Sequence, residues 1–146
     1  MANQIQLTGG FIHEEADASG VVKPGMLLEL TSADVVKAHA TEGGYSERAF
    51  AVEDALQGDT VDDSYADGAL VSYHLVEPGA KVQALIKAGE DISIGDRLVS
   101  AGDGTLIAED SVASGTTVKQ IIAVAAAACD LSDSGDADTL SAVRVM

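Results

Sequence analysis

The stretch DRLVSAGDGTLIA, residues 96–108, decides the fold class. Two short apolar runs flank Ala101-Gly102-Asp103-Gly104, and glycines at such positions supply the positive φ angles that tight turns need. The stretch therefore predicts a β-hairpin with Leu98 and Leu106 on its two arms. Arms this short favour a fold built from many small strands over one built from helices.

Short apolar stretches of this kind recur along the chain, separated by clusters of Gly, Pro, Asp and Ser. Their spacing is typical of a β-barrel or β-sandwich. Pro24-Gly25 and Pro78-Gly79 pre-set the backbone angles of two further turns. The predicted strands are 4–7, 11–14, 26–30, 35–39, 49–52, 70–75, 82–86, 96–100, 105–108, 121–128 and 140–145. We thus expect an all-β fold, a small β-barrel or β-sandwich (β-tulip-like) with an extended N-terminal arm.

Two further features support this interpretation. Residues 121–128 and 140–145 flank the acidic loop 130–138 and predict a second hairpin, in which Arg144 faces solvent while its neighbours face inward. Gly25 and Gly95 each follow an apolar residue and precede a strand, so we expect both to adopt the same backbone conformation. Residues 46–56 fit a helical stripe about as well as a strand followed by a turn, and the strand is preferred.

Composition indicates a single domain with an aliphatic core. A chain of 146 residues is long enough to bury one core. Of its residues 47% are apolar but only 3% are aromatic. We therefore expect a core of small aliphatic side chains.

The charge balance limits the partners. Eight Lys and Arg face 24 Asp and Glu, for a net charge of −16. This field repels nucleic-acid phosphates and anionic lipid headgroups, and no apolar segment approaches the roughly 18 residues that span a bilayer. Neither nucleic acid nor a membrane is expected as a partner.

The N-terminal segment leaves two interpretations open. Residues 1–7 carry no charged side chain and have neither the basic region nor the apolar run of a signal peptide. An arm over residues 1–8, followed by a single β domain over 9–146, would let this segment add a strand to a neighbouring chain. The alternative is an ordinary first strand of the domain.

No motif predicts chemistry. His13, His39 and His74 lie on separate predicted strands and do not form a metal-binding pair on a helix. Loop 130–138 begins like a calcium loop, but its twelfth position is Ser141 instead of a bidentate Glu. Cys129 at the end of an apolar run is expected to be an inert, buried thiol.

Phosphate-binding glycine loops and Gly-x-Ser-x-Gly elbows do not occur in the sequence. Acidic pairs such as Asp62-Asp63 are expected by chance among 24 acids. We therefore expect no enzymatic activity, no metal and no cofactor. A sugar-binding module is disfavoured because the chain has no Trp for ring stacking.

Taken together, this pattern resembles the small head decoration, or capsid cement, proteins of tailed phages, and the resemblance runs over nearly the whole chain. The stretches that carry it are 11–15, 22–30, 65–68, 94–98, 100–106 and the alanine-rich strand 121–128.

The resemblance implies a structural protein of the virion, assembled in the host cytoplasm and located on the outer capsid surface. It would assemble as a homotrimer, bind the major capsid protein at three-fold or quasi-three-fold sites and stabilise the shell. The residues that the resemblance assigns to capsid binding are Ala2, Asn3, Gln4, Ile5, Gln6 and Leu7. The alternative is another virion β-domain, associated with a tail or a fibre.

Overall fold

The computed structural model describes residues 3–113 and 119–146, which form an all-β fold with 42% of the described residues in strands. The fold class predicted from sequence is confirmed. One short 3₁₀ turn, Glu109–Ser111, interrupts the strands. The strands are β1 (Gln6–Thr8), β2 (Phe11–Ala18), β3 (Leu28–Leu30), β4 (Val35–Ala38), β5 (Ala49–Ala51), β6 (Leu70–Val76), β7 (Lys81–Ile86), β8 (Asp91–Ile92), β9 (Arg97–Ser100), β10 (Leu106–Ala108), β11 (Ala123–Ala125), β12 (Cys129–Asp130) and β13 (Thr139–Val145).

Five strands close into a barrel in the order β7-β10-β9-β11-β13, with β13 pairing back onto β7. The closing pair is the longest in the barrel and runs from Thr139 opposite Ile86 to Arg144 opposite Lys81. The predicted hairpin appears as the antiparallel pair β9–β10, and the predicted C-terminal hairpin as β11–β13. Closure satisfies the backbone of each wall strand without leaving an open edge.

Small aliphatic side chains fill the barrel. Val82, Ala84 and Ile86 alternate inward along β7, while Val143 and Val145 do so along β13 and Arg144 is exposed. Alanines on β7 and β11 keep the interior narrow, and Phe50 is the single aromatic residue of this cluster. Both the inward alternation and the aliphatic character of the core are as expected from sequence.

The N-terminal segment completes the barrel wall. The side chain of Ile5 is fully buried in the barrel core. Its carbonyl accepts a 2.8 Å hydrogen bond from the N–H of Gln83, and β1 pairs antiparallel with β7. The segment thus covers the part of β7 that β10 does not reach.

A second sheet has the order β3-β4-β2-β6-β5. A bridge between Leu27 and Phe50 brings its two ends together, so this sheet also curls. It encloses a separate cluster that includes Val36, Val71 and Tyr73. The expectation of one core is therefore wrong: burial is divided between two main clusters because each sheet wraps around its own apolar face.

Gly25 joins the two sheets. Its N–H donates to Ala51 of the second sheet at 2.8 Å, and its carbonyl accepts from Leu85 of the barrel at 3.0 Å. A Cβ here would collide with the Leu140 side chain and lie 3.2 Å from the Gln83 carbonyl. Both Gly25 and Gly95 have positive φ, +90° and +94°, as predicted.

Candidate interaction surface

β2 is an exposed strand with one open edge. It pairs with β6 without interruption over residues 11–17. Within the described residues, β4 covers its other edge only at Asp17 and Ala18. The exposed fractions of Phe11 and Ile12 are 45% and 59%, and residues 13–15 are exposed as well.

Hydrogen bonds at the two ends of the ladder show which backbone groups are free. The N–H of Ala18 donates to Ala69 at 2.8 Å, and the carbonyl of Gly10 accepts from Glu77 at 3.0 Å. Because backbone direction alternates along a strand, the even-numbered residues of β2 bond to β6. The N–H and C=O groups of Phe11, His13 and Glu15 therefore point to the open edge.

An aromatic cluster covers one face of β2. The Phe11 ring stacks on the ring of His74 of β6, with centroids 3.9 Å apart and an interplanar angle of 6°. The His13 ring meets His74 edge-on at 5.4 Å. Burial, followed by the nearby His13, lowers the pKa of His74 to about 4. His74 is therefore neutral near pH 7, and its Nδ1 lies 3.2 Å from the Gln6 side-chain oxygen.

Next to this cluster lies a cleft of about 400 Å³. Its lining includes Gln4 and Gln6 of the N-terminal segment, the rings of Phe11 and His74, three acids and Leu56, which is 96% exposed. The acids are Glu15, Glu53 and Asp54. The cleft therefore combines aromatic rings with polar and acidic side chains.

The opposite face of β2 is acidic. The pKa of Tyr73 is raised, mainly by burial and then by the negative charges of Glu14, Glu47 and Asp34. Ion pairs seen within 3–113 and 119–146 involve other acids and none of these three. This face thus carries unneutralised negative charge.

The residues predicted to bind a capsid divide into three groups. Ala2 lies outside the described residues, and Asn3 and Gln4 are exposed. Ile5 is buried, and its N–H donates to a Glu53 carboxylate oxygen at 3.0 Å, while Gln6 and Leu7 are half-buried. Of the two interpretations left open, the structure supports an ordinary first strand for the described part. A capsid contact by these residues stays a prediction.

The third histidine has a structural role. His39 Nδ1 lies 2.6 Å from the Ser100 hydroxyl, and Glu29 lies 3.9 Å from its Nε2. This grouping is similar to a hydrolase triad, but Ser100 is 0% and His39 2% exposed, so a substrate cannot reach them. Nε2 donates a hydrogen bond to the Tyr45 carbonyl at 2.9 Å, so Nδ1 accepts the hydrogen bond from the Ser100 hydroxyl. The pair links the loop at Tyr45 to β9.

Within the described residues, no group of three or more His, Cys, Asp or Glu could hold a metal ion. In loop 130–138, Asp130 accepts hydrogen bonds from the backbone and hydroxyl of Ser132 at 3.1 and 2.6 Å. Asp136 accepts one from the Asp133 backbone at 3.1 Å. The carboxylates of Asp130 and Asp136 are thus engaged in local turns, while that of Asp138 accepts a 2.8 Å hydrogen bond from the N–H of Ala88. Burial raises the pKa of the half-buried Cys129 thiol.

None of the described helical residues forms a helix long and apolar enough to cross a membrane.

The chain matches no protein-family model and no curated protein. Among solved structures it is similar to the crystal structure of the head fiber gp8.5 N base of bacteriophage phi29, with a TM-score of 0.58 and 17% identity. The match covers 94% of this chain and 95% of the other. At this identity the likeness establishes a shared fold.

Sequence reasoning missed the open edge of β2 and the meeting of His13 with His74. The available signal was that FIHEEADA places acids on both of its faces, so that neither face suits a core. The histidine pair depends on the register of β2 against β6, where His13 lies opposite His74. Nothing local to either histidine indicates that register.

Proposed function

We propose that this chain is a structural protein of a phage virion that binds the outside of the head. The observation that carries the proposal is the fold likeness, which spans nearly all of both chains. The similar structure is described as the N base of a head fiber. The resemblance to head decoration proteins points to the same part of the virion.

Two finer functions fit this position. A cement protein would bind the major capsid protein as a homotrimer at three-fold or quasi-three-fold sites and stabilise the shell. A fibre base would bind the head and hold a fibre, and the description of the similar structure favours this second candidate at least as well. The two differ in what the bound protein carries, because a fibre base holds a fibre and a cement protein does not.

The charge of the chain supports a protein partner. A net charge of −16 keeps copies of a small domain apart in solution. Binding through many weak contacts on a repetitive shell then supplies avidity that a single contact lacks. Binding to a shell in this way needs a docking surface, and the exposed, open-edged part of β2 is a candidate for it.

Co-sedimentation with undecorated heads of a phage whose genome encodes the chain tests the proposal. We expect the protein to sediment with heads in saturable amounts and to stay in solution without them. The number bound at saturation gives the number of sites on a head, and light scattering after size exclusion measures the oligomer. Failure to bind at any protein concentration would contradict the proposal.

A further inference from the structure

The open part of β2, residues 11–15, is about 16 Å long. Its register against β6 is continuous from Phe11 opposite Val76 to Asp17 opposite Leu70, without a bulge. The strand contains no proline. Natural edge strands are usually protected by bulges, proline, charged side chains or a covering loop. Residues 11–15 have no bulge and no proline, and their protection is the charge of Glu14 and Glu15. Its free backbone groups are therefore suited to pair with another strand.

The acids around this edge determine what can pair with it. On one face Glu14 is exposed and lies opposite Tyr73 of β6. On the other face Glu15 lies 3.5 Å from the His13 ring. An incoming strand meets negative charge on both faces, and exposed Phe11 and Ile12 at its end.

We propose that the open edge of β2 binds an extended, Lys- or Arg-containing segment of a different protein, which adds to the sheet as a strand. The backbone groups of Phe11, His13 and Glu15 supply the hydrogen bonds. Basic side chains of the segment neutralise the acids, and an apolar one packs on Phe11 or Ile12. The inference rests on the proposed function, because it gives the chemistry of the head segment that would be bound.

A second copy of this chain fits the edge less well. Pairing two β2 edges brings two sets of Glu14 and Glu15 together, and like charges on adjacent strands destabilise a sheet. A basic segment turns the same charges into favourable contacts. The acids thus act against self-association and in favour of a basic partner.

Amide hydrogen exchange tests the edge directly. The probe is a peptide of about seven residues in which Lys and Val alternate, long enough to cover the open stretch, and its Glu-Val counterpart is the control. We expect the Lys-Val peptide to slow exchange at Phe11, His13 and Glu15, and the Glu-Val peptide to have no effect. Amides of Ile12 and Glu14 already bond to β6 and should not change. Unchanged exchange at the three edge amides, or equal slowing by both peptides, would overturn the proposal.

A matched pair of variants tests the same edge by affinity. His13→Pro removes an N–H that faces the open edge, so it costs no bond of the β2–β6 ladder, whereas His13→Ala removes the side chain and keeps the N–H. We expect His13→Pro to bind the Lys-Val peptide about tenfold more weakly than His13→Ala. Equal affinities would overturn the proposal. If His13→Pro fails to fold, the exchange experiment on the unchanged protein decides.

Phage heads separate this inference from the proposed function. If heads bind the unchanged protein and His13→Ala but not His13→Pro, the edge is the contact. Equal binding of all three would overturn the edge proposal and leave head binding standing. If none binds, the proposed function fails, and the peptide experiments decide on the edge by themselves.

Discussion

At the scale of single residues, the molecule uses its few polar core groups to set geometry. His39 holds a loop to the barrel through Ser100, and the hydroxyl of Tyr65 donates to the Val52 carbonyl at 2.6 Å. Such bonds compensate for burying polar groups in an aliphatic core. His74 differs, because burial, followed by the nearby His13, disfavours its charged form and lowers its pKa. This makes stability sensitive to pH.

We predict that the protein loses stability as the pH falls from about 6.5 to about 4. The folded pKa of His74 is about 4, below its ordinary value of 6.5, so the unfolded chain takes up a proton that the folded chain does not. The free energy of unfolding should decrease by about 1–3 kcal/mol over this window. Urea denaturation across pH measures it.

His74→Gln removes this titration, so the free energy of unfolding should change little between pH 6.5 and 4. His13→Gln, at an exposed position, should keep most of the pH dependence of the unchanged protein. Asp103, whose pKa is lowered by its bonds to Thr105 and Lys87 against the effect of burial, loses its contribution only at lower pH, as it becomes protonated. Identical slopes for His74→Gln and the unchanged protein between pH 6.5 and 4 would contradict the assignment.

Two glycines with the same backbone conformation have different surroundings. At Gly95 a Cβ would meet nothing within 4 Å, whereas at Gly25 it would strike Leu140. We predict that Gly95→Ala costs about 1 kcal/mol from the positive φ alone. Gly25→Ala adds a steric cost, for a total of about 2–4 kcal/mol. Thermal unfolding of both variants measures the two losses of stability. Equal losses would contradict the steric cost assigned to Gly25→Ala.

At the scale of elements, the N-terminal strand is part of the barrel. We predict that Ile5→Ala lowers the free energy of unfolding by about 2–5 kcal/mol, because it leaves a cavity in the core. Gln4→Ala, at an exposed neighbouring position, should change it by less than about 0.5 kcal/mol. Urea denaturation measures both. Similar small effects would mean that the segment is an arm and not a wall strand.

Local turn chemistry explains what could be predicted from sequence. The β9–β10 hairpin and the solvent-facing Arg144 followed from glycines and alternation within one stretch. β8 and β12 have two residues each and exist only because Cys129 lies opposite Ile92, far away in sequence. Barrel closure likewise depends on the parallel contact of Leu106 with Ile86. Such long-range pairing leaves no local pattern.

The exposed end of β2 depends on long-range pairing as well. The sequence predicts a contact in residues 2–7, where apolar side chains have no local partner, and that contact stays a prediction. Ile5 is buried in the structure, whereas Phe11 and Ile12 are exposed. Which apolar residues lack a partner is a property of the folded sheet, because β4 reaches only the last two residues of β2.

At the scale of the whole molecule, an acidic surface encloses a closed barrel and a curled second sheet. The closed barrel leaves few edges, so the open edge of β2 stands out as a place for another chain. Its acids match a basic partner, and the fold is shared with a head fiber base. These features are the ones on which the proposed head binding rests.

Electron microscopy of phage heads with and without the protein tests the central claim most directly. We predict added density on the outer surface of the heads, with the β2 side of the domain against the shell. Density at three-fold or quasi-three-fold positions is the placement that the cement candidate predicts, and an attached fibre would identify a fibre base. Heads without added density at saturating protein would contradict a function on the phage head.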